Sequence, residues 1–81
     1  MKEELNRKLY RDIKDGKSIV SSLVDIGVHS HRPYEAMTDA VLEVNKKFAN
    51  LVSDQNVLTE YLVTELTKAK RTYVQKIKDF M

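Results

Sequence analysis

From Tyr34 to Met81 the chain runs 48 residues without a glycine or a proline, and apolar residues recur along it at helical spacing. Met37, Val41, Val44, Phe48 and Leu51 step by four and three. After a polar patch, Leu58, Leu62, Leu66, Ala69, Tyr73, Ile77 and Phe80 resume the rhythm. Three or four residues make one turn, so each series keeps one helix face apolar. Period-2 alternation never reaches four residues on a defensible face, which argues against strands. A chain patterned this way is constrained to pack helices.

The first segment carries a weaker stripe. Leu5, Leu9 and Ile13 are followed by Val20 and Leu23, with Gly16 on the same face between them. Asp15-Gly16 can end a helix with Gly16 in the left-handed position, leaving Ser18 to cap a short second helix over 19–26. The stripe keeps its phase across the glycine, however. That favours one continuous or kinked helix, at a cost of about 1 kcal/mol for glycine relative to alanine. Gly27 to Pro33 is the clear break, with Gly27 as terminator and Pro33 at the first helical position. Glu35 and Asp39 then sit toward the positive end of the next helix dipole.

Ser53-Asp54-Gln55-Asn56 is a second, weaker break made of cap-forming residues, Ser53 or Asp54 serving as N-cap. The alternative threads Leu51, Gln55 and Leu58 through one helix over 34–81. That rod would be about 72 Å long and would need a coiled-coil partner. The expected architecture is all-α, an antiparallel up-down-up bundle of three helices near 2–26, 33–52 and 54–80. The merged rod in a dimer is the variant. The predicted core is Leu9, Ile13, Val20, Leu23, Met37, Val41, Val44, Phe48, Leu51, Leu58, Leu62, Leu66 and Ala69. No internal repeat, low-complexity tract or linker interrupts this single domain over 1–81.

Size limits how such a fold is held. Burial at roughly 25 cal/mol per Å², set against about 1.5 kcal/mol of entropy per ordered residue, balances near zero for small domains. Disulfides, metals, regular helix packing or self-association close that gap. Cysteine is absent, so disulfides are excluded. Fourteen basic and twelve acidic side chains are mixed along the chain, without the one-sign block of a nucleic-acid arm. Nothing approaches the run of about 18 apolar residues that crosses a bilayer, and the first residues lack a secretory apolar segment. These features predict a soluble cytoplasmic protein without a membrane partner. Ten lysines against four arginines, with four alanines, lean toward an AT-rich coding genome such as that of a low-GC bacterium or phage.

Catalytic and metal patterns are weak. His29 and His31 flank Ser30 in the predicted loop, but zinc sites want three or four protein ligands, and no cysteine exists. Two polar turn residues explain them better than a metal site or a phospho-acceptor. Glu3/Glu4, Asp12/Asp15, Asp39/Glu43 and Glu60/Glu65 could pair for acid–base work, yet they sit among lysines as solvated helix faces do. Two glycines cannot build a phosphate loop, and no nucleophile elbow is present. Arg7, Arg11 and Lys14 could imitate the inward cations of very small helical enzymes, but no spacing singles them out. The expectation is a non-enzymatic chain with no cofactor, no metal and no small-molecule substrate.

Two surfaces remain. Tyr73, Val74, Ile77, Phe80 and Met81 form a wide apolar strip at the end of the longest helix, which outruns its neighbour by roughly 10 Å. The end of the first helix (Val20, Leu23, Val24, Ile26) could cover it; left bare, it is a contact for another protein or for a second copy. Lys68, Lys70, Arg71, Lys76 and Lys78 make the same helix locally basic. They can offset the helix dipole and solubilise its outer face, or contact phosphates. The leading expectation is a small helical protein-binding module, an adaptor, inhibitor or assembly component, acting alone or as a homodimer. The alternative is a nucleic-acid-binding or regulatory protein using those five basic residues.

Overall fold

The computed structural model describes residues 2–80, which form four helices and no strand: α1 (Lys2–Lys14), α2 (Val20–Val28), α3 (Pro33–Phe48) and α4 (Gln55–Phe80). The all-α expectation holds, but the count of three helices does not. The segment expected to run continuously over 2–26 is two helices. Gly16 adopts φ +71°, in the left-handed region where a side chain is strained. Its N–H donates to the Ile13 carbonyl at 3.1 Å, and the Lys17 N–H donates to the Asp12 carbonyl at 2.9 Å. Those two bonds are the Schellman closure of a helix C-terminus.

The chain then reverses. Ser18 Oγ accepts the Val20 N–H at 3.4 Å, and the Ile19 carbonyl accepts the Leu23 N–H at 2.9 Å. Ser22 Oγ donates to Asp12 at 2.6 Å, and Lys8 Nζ lies 3.6 Å from Asp25, so α1 lies antiparallel on α2.

Gly27 does not terminate a helix. It lies buried inside α2, and a Cβ there would meet the Met37 side chain at 3.2 Å. The glycine lets α3 approach. The helix ends one residue later, at Val28, and the His29 N–H donates to the Asp25 carbonyl at 3.2 Å. Pro33 opens α3 as expected.

The second break is also real, which rules out the merged rod. α3 stops at Phe48, four residues short of the expected end at 52. Asp54 Oδ1 then accepts the N–H groups of Asn56 at 3.0 Å and Val57 at 3.3 Å, capping α4. Asn45 and Thr59 share side-chain hydrogen bonds, and the Tyr34 and Tyr73 rings meet edge-on at 5.7 Å. Together these contacts make α3 and α4 antiparallel.

Helices α2, α3 and α4 pack on one another, and α1 packs on α2, with Tyr10 reaching the Phe48 ring at 6.0 Å. The molecule measures 44 × 23 × 21 Å. Leu9, Leu23, Met37, Val41, Val44, Phe48, Leu58, Leu62 and Ala69 are buried, as their stripes predict. Ile13, Val20 and Leu66 are half-buried at the edge of this core. Leu51 is 71% exposed, because the helix that would have turned it inward has already ended. Ile19, Val24, Ile26, Ala40 and Tyr73 join the core instead. Among the described residues no helix is long and apolar enough to cross a membrane.

Candidate functional site

Helix α4 is 26 residues, about 39 Å, against 16 residues and about 24 Å for α3. Antiparallel pairing runs from Thr59, opposite Asn45, to Tyr73, opposite Tyr34 in the first turn of α3. The last turns of α4 therefore reach past the start of α3. Of the strip expected there, Tyr73 is 9% exposed and held by Tyr34, so it belongs to the core. Val74 is half-buried, Ile77 is 39% exposed and Phe80 is 84% exposed. Met81 lies outside the described residues. Val28 and Tyr34, which border the turn between α2 and α3, are exposed at the same end.

This end is also basic. Along the second half of α4 run Lys68, Lys70, Arg71, Lys76 and Lys78, with Asp79 beside the last two, and Arg32 and Glu35 stand at the start of α3. Glu35 is bridged to Arg32 at 3.4 Å and Asp79 accepts a hydrogen bond from Gln75 at 3.0 Å. At 100° per residue, the five basic side chains of α4 point to different sides of the helix rather than along one edge. Lys68 lies 3.9 Å from the Glu65 carboxylate, so part of this charge faces its own helix.

A second apolar feature lies at the opposite end and was missed in the sequence. Ile13 from α1, Val52 and Asp54 from the loop, and Val57, Leu58 and Tyr61 from α4 line an open groove of about 570 Å³. Tyr61 Oη donates to the Lys17 carbonyl at 3.3 Å, tying α4 to the turn after α1. Burial, and then the negative charge of Glu65, push the Tyr61 phenol above its ordinary value of 10.0. The available signal was Val57 and Tyr61, two apolar residues four apart that lie off the main stripe.

The remaining polar groups do not assemble a chemical site. His29 Nδ1 sits 2.8 Å from the Asp25 carbonyl at the C-terminus of α2. His31 lines a shallow surface depression with Arg32, Glu35 and Asp39. Among the described residues, no three histidine, aspartate or glutamate side chains gather as a metal site would need. Glu65 is buried, and its Oε2 accepts no hydrogen bond there; the Lys68 ammonium is the cation beside it. On α1, the Tyr10 ring holds Lys47 at 4.2 Å over its face, and burial followed by the charge of Glu43 raises its phenol. Arg7, Arg11 and Lys14 of the same helix line neither the groove nor the depression.

No protein-family model matches the chain, and no curated protein or solved structure matches it either.

Proposed function

We propose that this chain is a small, non-enzymatic helical module that binds protein, as an adaptor, inhibitor or assembly component, through the projecting end of α4. The observation that carries this reading is the exposure of Ile77 and Phe80 where α4 outruns α3, in a domain with little apolar area to spare. Exposed apolar side chains rimmed by charge are how a surface recognises another protein. Aromatic and long aliphatic anchors in such a place carry most of the binding energy. The even scatter of the basic residues around α4 supports this reading over a phosphate track.

The test is capture from an extract of the source cell on immobilised protein, wild type against Ile77→Ser/Phe80→Ser. Loss of the captured protein in the double variant, with its helical circular dichroism retained, supports the module. Binding of duplex DNA with a steep salt slope that the double variant leaves unchanged overturns it in favour of phosphate contact through Lys68, Lys70, Arg71, Lys76 and Lys78.

A further inference from the structure

Resting on that reading, we infer that the occupant of the α4 tip is the groove at the other end of a second copy, so that the chain assembles head to tail. The two surfaces answer each other in shape. The tip is a protrusion carrying Phe80 and Ile77; the groove is a concavity of about 570 Å³ walled by Ile13, Val52, Val57 and Tyr61 over Leu58. They also answer each other in charge. Lys76 and Lys78 flank the tip against a single Asp79, whereas the charged residue in the groove wall is Asp54. Seating one tip in the next groove brings the negative end of one α4 dipole to the positive end of another.

A tip cannot fill its own groove, because the length of α4, about 39 Å, separates them. A symmetric tip-to-tip dimer is disfavoured by the same chemistry. It would press Lys76 and Lys78 of one copy, with Arg32, against their equivalents. Head-to-tail contact uses two different patches, and because these lie at opposite ends of α4, successive copies extend along one axis as an open fibre rather than turning into a ring. The tip is small, and interfaces burying less than about 1,200 Å² belong to the weak class. Growth is therefore expected between about 10 µM and 1 mM protein.

The experiment is sedimentation equilibrium on the full chain with two variants at well-exposed positions, Phe80→Lys and Val57→Lys. The first keeps a working groove and the second a working tip. Circular dichroism confirms that both retain the wild-type helical signal. Wild type is expected to rise in average mass with concentration and pass beyond two copies of its 9.4 kDa chain without a plateau. Each variant alone stays at one copy. Their equimolar mixture gives a species of two copies and nothing larger, since only one productive contact exists in it. A wild-type plateau at two copies, or a mixture that stays at one, overturns the head-to-tail assembly. A wild type of one copy throughout overturns self-occupancy yet leaves the binding module standing if extract capture still depends on Ile77 and Phe80. If Phe80→Lys grows as wild type does, the tip is not the contact and both readings fall.

Discussion

One helix contains two regimes. Between Leu58 and Tyr73, α4 presents Leu58, Leu62, Ala69 and Tyr73 to α2 and α3, and all four are buried. From Val74 to Phe80 the same apolar rhythm continues, but cover falls away, with Val74 half-buried, Ile77 39% exposed and Phe80 84% exposed. Phe80 stands 18 residues, five turns, beyond Leu62 and on its face of the helix. A stripe thus specifies which side of a helix is apolar, while the length of its neighbours decides whether that side is core or surface. Stability and recognition can then reside on one face, divided only by where α3 begins.

The sharpest way to break this contrast is in the covered half. Leu62 is almost fully enclosed, and Leu62→Ala removes its burial and leaves a cavity, a loss of about 2–5 kcal/mol. In a domain of this size that removes a large part of the total stability. Urea unfolding followed at 222 nm would measure it. A loss under half a kcal/mol would mean that the buried stripe is not the core.

The ends of the covered region give smaller effects. Gly16→Ala places a Cβ on a left-handed residue, at about 1–2 kcal/mol, with open space around it, so the cost is backbone strain. Asp54→Ala removes the two capping bonds at the start of α4 and should cost about 1 kcal/mol. A shift in urea midpoint at unchanged slope would mark both as local losses of stability. If Asp54→Ala left the midpoint in place, the break before α4 would owe nothing to its cap.

Alkaline pH probes the groove side more gently. The Tyr61 and Tyr10 phenols are raised by burial first, and then by the charges of Glu65 and Glu43. A phenol whose folded value lies above its unfolded one contributes stability that is fully present below the unfolded value, near pH 10. That contribution is lost as pH rises through the folded value. The urea midpoint should fall as pH rises above about 10, and fall less steeply in Tyr61→Phe. Equal slopes in the two proteins would remove Tyr61 from the account.

The stripes of α3 and α4 are legible because each is long enough to fix a phase, and Asp54 marks the break between them. The first 30 residues are not, because two glycines exchange roles. Gly16, which the stripe reads as a tolerated residue of one continuous helix, is the left-handed stop, whereas Gly27, which reads as the stop, sits within α2 against Met37. Composition cannot separate the two uses; they differ in φ and in what lies opposite. Once the chain breaks at Gly16, the inward face restarts on Ile19, Ser22, Leu23 and Ile26, and Val20 turns toward the edge. The groove escaped notice for a related reason. It draws on α1, a loop and α4, which only the tertiary fold brings together, whereas the tip lies on a single helix.

The smallest expected effect sharpens the contrast most. Phe80→Ser alters a side chain that touches little of its own bundle, so its stability should stay within about 0.5 kcal/mol of wild type, as exposed substitutions do. Against Leu62→Ala, on the same helix face, that is a difference of several kcal/mol for residues with the same apolar character. The measurement is the urea midpoint of each variant under one set of conditions, with wild type alongside. A Phe80→Ser loss above 1 kcal/mol would show that the last turns of α4 are packed in solution. In that case the strip is core to its end, and the contact surface has to be sought at the groove. A loss near zero leaves Phe80 free of any role in holding the monomer together, as a side chain used for recognition must be.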